Sequence, residues 1–187
     1  IRGGAGTSGS EGEPAEQGDV PKRLYLALRD EDLGAVGRCV AEASDDELLV
    51  QSGWEQRQDK PPSWLPGAEA LYATRGLTAV HVLARDCRDV DLVRQVVTRV
   101  PHALCESQAG VDYDGKRAAW LPMHCAATLN SSAAVVRMLL EVGGAEQLRA
   151  KDATGALPIH CAAMLNSSVA VVRMLLEVGG AEQLRAK

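Results

Sequence analysis

The sequence predicts an all-α protein built as a solenoid of stacked helix-turn-helix repeats. Residues 121–151 and 157–187 are near copies that differ at three positions, and His124 and His160 mark a period of 36 residues. In each copy the apolar residues recur at helical spacing and form one stripe. The chain has no Phe and only 3% aromatic residues. Its core must therefore consist mainly of Ala, Leu and Val, which suits closely packed helices better than a β-sandwich or a barrel.

The composition is that of a folded globular chain, with 46% hydrophobic and 24% charged residues. A net charge of −5 argues against binding to a phosphate backbone, so no nucleic-acid partner is expected. No apolar run reaches the ~18 residues that cross a bilayer, so no membrane span is expected. The five cysteines lack a C-x-x-C pair, which favours a reducing compartment. We therefore expect a cytoplasmic or nuclear protein. Because the chain begins with Ile1 rather than Met, its first residues say little about targeting.

The N-terminal part is predicted to hold one degenerate repeat between two irregular segments. Residues 1–20 are rich in Gly, Ser and Glu, have little to bury and are expected to be disordered. The first repeat, 21–50, is indicated by Leu24-Tyr25-Leu26-Ala27 ahead of an apolar run that starts at Leu33. An insertion at 51–73 follows, and its prolines forbid a regular helix. Atypical terminal repeats are expected in such arrays.

Three further repeats and a second insertion complete the chain. The predicted repeats are 74–100, 112–147 and 152–187, and the insertion is 101–111. In the second repeat the residues from Gly76 to Ala84 match the spacing of those from Gly155 to Ala163. The chain stops at Lys187, the counterpart of Lys151, so we expect a fragment of a longer array.

The last repeat shows what each unit should look like. Asp152-Ala153-Thr154-Gly155 is a turn signature, because Asp bonds to nearby backbone and Gly accepts positive φ. A short helix is predicted from Pro158 to about Leu165, since proline suits the first turn of a helix. Asn166 is expected to end it in the left-handed region, and a second helix should run from about Ser168 to Val178. A single pair of such helices cannot bury its apolar stripe, so stability must come largely from the interfaces between stacked copies.

The string Asp-x-x-Gly-x-x-Pro-Ile-His-x-Ala-Ala at Asp152 to Ala163 resembles the ankyrin-repeat signature. The Val-Val-x-x-Leu-Leu stripe and trailing Gly-Gly resemble the second helix and loop of the same family. The resemblance implies a hairpin-like loop plus two antiparallel helices per unit, stacked into a curved array. The chain departs from the family pattern where Leu121 and Leu157 replace the usual Thr, and where Asn130 and Asn166 replace a Gly between the helices.

The resemblance also implies a protein partner, held on the concave face by the hairpin tips and the outward positions of the first helices. Mapped onto this chain, the candidate partner-binding residues are Thr74, Arg75, Leu77, Arg85, Asp86, Thr128, Leu129, Ala153, Thr154, Ala156, Met164 and Leu165.

Metal and catalytic interpretations are weaker. His124-Cys125 and His160-Cys161 combine zinc-type ligands, but adjacent helical side chains point about 100° apart, so a pair cannot readily chelate one ion. The histidines recur where ankyrin repeats use His to brace the hairpin. Cys125 and Cys161 are expected to be buried and inert, whereas Cys87 and Cys105 lie in turns and are expected to be more exposed.

No catalytic residue, metal site or cofactor is therefore predicted, and no small-molecule substrate is evident. Asp112-Tyr113-Asp114-Gly115 lacks the later ligands of a calcium loop and is interpreted as a turn. The leading hypothesis is a non-catalytic protein-protein interaction module, a scaffold-type binding array. The alternative is a targeting or regulatory arm of a larger enzyme, such as a kinase, ubiquitin ligase or phosphatase, whose catalytic domain lies outside these residues.

Overall fold

The computed structural model describes residues 19–52, 76–105 and 119–180, and within these ranges every regular element is helical. The predicted all-α class is thus confirmed. The α-helices are α1 (Val20–Arg29), α2 (Leu33–Glu42), α3 (Asp45–Leu49), α4 (Ala79–Asp86), α5 (Val90–Arg99), α6 (Pro122–Leu129), α7 (Ala133–Gly143), α8 (Pro158–Leu165) and α9 (Val169–Gly179). Two 3₁₀ helices, η1 (Pro101–Leu104) and η2 (Ala145–Arg149), complete the set.

The helices form two rows in chain order. The first row consists of α1, α4, α6 and α8, and each helix contacts the next. The second row consists of α2, α5, α7 and α9, which contact one another in the same order. The near copies adopt matching helices 36 residues apart, and α6 packs directly against α8. Short helix pairs therefore support one another by stacking, as the sequence predicts.

The irregular segments of the sequence lie mostly outside the described residues. Residues 1–18 of the expected disordered segment do so, while Asp19 and Val20 belong to the N-cap and first turn of α1. Nearly all of the insertion at 51–73 also lies outside, as do Asp112-Tyr113-Asp114-Gly115. The insertion at 101–111 begins with η1, whose Ala103 and Leu104 are buried. Residues 101–105 are therefore part of the packed array.

Helix boundaries follow from local chemistry. Pro122 and Pro158 occupy the first turns of α6 and α8, where a missing N–H costs no hydrogen bond. Ser132 and Ser168 cap α7 and α9 by accepting from backbone N–H groups in the first turn. Both of these helices end at glycines with positive φ, +80° at Gly144 and +70° at Gly180.

The prediction that Asn166 ends its helix in the left-handed region is wrong. Asn166 has φ −84° and ψ 122°, and Asn130 has φ −76° and ψ 122°. In this extended conformation each side-chain oxygen accepts from the N–H two residues later, that of Ser132 or Ser168, at 2.8 Å. The side-chain Nδ2 is then available to donate to carbonyls of the preceding repeat, and these hydrogen bonds favour the extended backbone.

One hydrophobic cluster runs through the whole described array. It contains chiefly Val, Leu, Ala and Met, including Leu24, Leu83, Val96, Leu139 and Leu175, all fully buried. Burial of such a Leu or Val side chain stabilises the fold by about 1.5–3 kcal/mol. The cluster crosses every boundary between helix pairs, so the pairs share one core.

Candidate interaction surface and the bonds between repeats

Three of the candidate partner-binding residues are buried rather than outward-facing. Leu77 and Arg85 are 2% exposed and Thr128 is 1% exposed. Arg85, Thr128 and Met164 all lie four residues after the histidine of their unit, so they share one position of the repeat. The expected outward placement is therefore wrong for Leu77, Arg85 and Thr128: Leu77 belongs to the hydrophobic cluster, and packing within the first row covers the other two. Thr74 and Arg75 lie outside the described residues.

Arg85 forms a buried polar link between α4 and α1. Its side chain is 1% exposed and pairs with Asp86 at 2.7 Å. Its guanidinium carbon lies 5.7 Å from the centroid of the Tyr25 ring. Burial opposes the charge on Arg85, but the carboxylate of Asp86 outweighs it, and the pKa of Arg85 is raised. These contacts give the Arg85 side chain a structural role inside the fold.

The hairpin tip at 152–156 presents the exposed candidates Ala153 and Thr154. Asp152 holds the tip, because its Oδ1 accepts from the N–H groups of Thr154 and Ala156 and from the Thr154 hydroxyl, at 2.7–2.9 Å. Gly155 has φ +83°, as the turn signature predicts. The tip is thus an exposed loop, held by the Asp152 carboxylate just ahead of α8.

The remaining candidates fall into two groups. Asp86, Leu129, Ala156 and Leu165 are half-buried. Met164, at 77% exposed, is the most exposed large hydrophobic side chain in the described part of the chain. It lies on α8 at the end of the first row, not beside the hairpin tip.

Two buried histidines join successive repeats. His81 Nε2 lies 3.1 Å from the Trp120 carbonyl, and His124 Nε2 lies 3.3 Å from the Ala156 carbonyl. Because a carbonyl only accepts, each Nε2 carries the proton and donates it forward to the next unit. Burial lowers the pKa of His81 to about 4 and also lowers that of His124. Both rings are therefore neutral bracing groups, the role that the resemblance implied.

The hydrogen-bond partner of Nδ1 differs between the unit that has Thr ahead of its first helix and the two units that have Leu there. In the second repeat, the Thr78 hydroxyl lies 2.8 Å from His81 Nδ1. In the third and fourth repeats, the backbone N–H groups of Leu121 and Leu157 donate to the corresponding Nδ1 at 3.2 and 3.1 Å. A hydrogen bond at Nδ1 thus orients the histidine ring both in the unit with Thr and in the units with Leu.

Two asparagines donate hydrogen bonds backward, to carbonyls of the preceding repeat. Asn130 Nδ2 donates to the carbonyls of Ala84 and Cys87 at 2.9 and 2.7 Å. Asn166 Nδ2 donates to the carbonyls of Ala127 and Asn130, both at 2.9 Å. Sequence analysis missed this role, although the recurrence of Asn-Ser-Ser at the same point of both copies was a signal.

The cysteines divide by burial. Burial raises the pKa of Cys125 to about 12 and that of Cys161 to about 11. Cys105 is exposed, as expected, but Cys87 is fully buried, so its expected exposure is wrong. Cys87 is the C-cap of α4, and Asn130 bonds to its carbonyl, which places this turn inside the array.

The described residues contain no group of three or more His, Cys, Asp or Glu side chains placed to hold a metal ion. Within the same ranges, no helix combines the length and apolarity that crossing a membrane requires. No protein-family model matches the sequence. A comparison with curated proteins likewise finds no significant match.

Proposed function

We propose that this chain is a non-catalytic protein-protein interaction module built as an ankyrin-type solenoid. The observation that carries the proposal is the exposed hairpin tip at 152–156, held by Asp152 beside a row of stacked first helices. A loop that is already held by hydrogen bonds loses little entropy on binding, which favours binding of a protein surface.

The chemistry of the buried groups supports a role without catalysis. The rings of His81 and His124 use both nitrogens within the fold. The thiols of Cys125 and Cys161 are held protonated, whereas a nucleophilic cysteine needs a lowered pKa. These residues therefore serve packing and bracing. We further propose a cytoplasmic or nuclear location, in keeping with free thiols at all five cysteines.

Site-specific photocrosslinking tests the proposed surface. A photoreactive residue at Ala153 should crosslink a protein partner in cells, and one at Gln95, exposed on the second row, should not. With the captured partner purified, Ala153→Glu and Thr154→Arg should each weaken binding about tenfold or more, which corresponds to about 1.4 kcal/mol. Equal crosslinking from both positions, or unchanged affinity of both variants, would contradict the proposal.

A further inference from the structure

The turn ahead of the first helix is strained in the third unit and relaxed in the second and fourth. Three residues before α4, α6 and α8 the backbone has positive φ, at Gly76 (+77°), Ala119 (+47°) and Gly155 (+83°). Glycine adopts this conformation without steric cost, whereas the Cβ of Ala119 disfavours it. Backbone strain of this kind is concentrated at functional sites. The third unit is therefore the one to search for a binding residue.

Trp120 follows the strained residue and is much larger than its counterpart in the fourth unit, Ala156. The counterpart in the second unit, Leu77, is 2% exposed. The Trp120 backbone is held in place, because its carbonyl accepts from His81 Nε2 at 3.1 Å. The indole packs against the hydrophobic cluster but is only half-buried. The third unit thus exposes part of a large aromatic ring from a fixed backbone position.

Trp120 lies one unit away from the hairpin tip at 152–156. His81 reaches the Trp120 carbonyl, and His124 reaches the Ala156 carbonyl, by equivalent hydrogen bonds. The two histidines belong to α4 and α6, which pack against each other, and packed helices lie about 8–10 Å apart. The two carbonyls are therefore about one helix spacing apart. An extended segment of a few residues is long enough to contact both the ring and the tip.

The charges of the described residues that lead into this tip cancel. Arg149 and Lys151 are balanced by Glu146 and Asp152, and Arg149 pairs with Glu146 at 3.6 Å. Without net charge here, an acidic or basic segment gains little from electrostatic complementarity, and a phosphate backbone gains little as well. The aromatic ring is therefore the feature that distinguishes one partner from another.

We propose that Trp120 anchors the partner, and that the partner is an uncharged protein segment whose aliphatic or proline side chain packs against the indole. This inference rests on the hairpin surface proposed above, and it adds the anchoring residue and the chemistry of the segment that binds there. Tryptophan is enriched among the few side chains that carry most of the binding energy of an interface. Burial of the exposed part of the ring supplies that energy, while the tip supplies additional contacts.

Selection from a phage-displayed library of random peptides tests the proposal. The full chain and its Trp120→Ala variant serve as separate targets, and the repeat tolerates alanine here, because Ala156 occupies the same position. The parent chain should enrich peptides that share an uncharged aliphatic or proline residue. These peptides should bind Trp120→Ala about thirtyfold or more weakly, the loss expected for a central interface residue. Trp120→Phe, which keeps a flat ring, should lose less than about fivefold.

Two further variants separate the possible outcomes. Trp120→Leu introduces the residue of the second unit, and it replaces Trp120→Ala in the comparison if circular dichroism shows that the alanine variant is unfolded. Peptides that bind Ala153→Glu weakly but bind Trp120→Ala as tightly as the parent would overturn the anchor and leave the hairpin surface supported. Peptides unaffected by either change would contradict both proposals.

Three other results would also overturn the inference. The parent chain could enrich no more peptides than Trp120→Ala does, or the enriched peptides could be uniformly acidic or basic. A single-stranded DNA oligonucleotide that binds the parent chain but not Trp120→Ala would identify base stacking instead of a protein partner.

Discussion

Removal of the Asn130 side-chain amide tests the bonds that join successive repeats. Asn130 is 1% exposed, and its Nδ2 donates to the carbonyls of Ala84 and Cys87 in the preceding unit. Asn130→Ala removes both bonds and leaves two buried acceptors at the end of α4. A buried polar group left without its partner costs about 1–3 kcal/mol. We therefore expect Asn130→Ala to lower the free energy of unfolding by about 2–4 kcal/mol, a large part of the ~5–15 kcal/mol typical of a domain.

Asn166 provides the matched comparison. Its Nδ2 makes the same two bonds, to the carbonyls of Ala127 and Asn130, but its side chain is only half-buried. Because water can replace the amide there, Asn166→Ala should cost about 1 kcal/mol. A second variant, Asn130→Asp, keeps the shape and the acceptor for the Ser132 N–H but places a carboxylate against two carbonyls. It should be at least as destabilising as Asn130→Ala at neutral pH.

Urea unfolding followed by circular dichroism measures all three variants. The midpoint should fall for Asn130→Ala with little change in m, because m reports the surface exposed on unfolding. The reasoning is refuted if Asn130→Ala costs less than about 0.5 kcal/mol, the range of ordinary surface substitutions. A larger loss for Asn166→Ala than for Asn130→Ala would also contradict it, since burial would then not set the cost.

Four other predictions concern titration, backbone strain, helix propensity and thiol reactivity. The pKa of His81 is lowered from 6.5 to about 4, so unfolding binds a proton below pH 6.5 and stability should fall as pH drops toward 4, by up to about 1.4 kcal/mol per pH unit. Urea midpoints at several pH values measure this slope, which His81→Gln should reduce. Gly144→Ala should lower the melting temperature, because φ +80° with ψ 162° is a backbone conformation essentially restricted to glycine, and another residue held there costs about 1–3 kcal/mol. Gly37→Ala, inside α2 with only ordinary contacts for an added Cβ, should instead stabilise by about 0.5–1 kcal/mol. A thiol reagent should label Cys105 in the folded chain and Cys125 only after unfolding; equal labelling rates would contradict the assigned burial.

The sequence alone predicted the helices of the last repeat, because the residues that start and end them act locally. Pro158 sets the start of α8, and the predicted end at Leu165 agrees with the structure. The second helix was predicted from about Ser168 to Val178 and runs from Val169 to Gly179. A cap, a proline and a glycine each act within one turn, so their effect can be read without knowledge of the neighbours.

Exposure could not be predicted in the same way, because it depends on the neighbouring unit. Arg85, Thr128 and Met164 share one position of the repeat, yet the first two are buried and the third is 77% exposed. The asparagine contacts were missed for a related reason. Asn130 reaches carbonyls more than 40 residues earlier, and only the arrangement of adjacent units reveals them.

The bonds between units give the array a direction. Histidine rings donate forward to the next unit, while asparagine amides donate backward to the previous one. Apolar packing alone is non-directional, and Ala, Leu and Val surfaces tolerate several alignments of one helix pair on another. A unit stacked in reverse would oppose donor with donor at one site and carbonyl with carbonyl at the other, and would leave buried polar groups unpaired at a cost of about 1–3 kcal/mol each. At the junctions between the second, third and fourth units, the core therefore supplies the stability of the stack, and the paired His and Asn side chains favour one orientation and register.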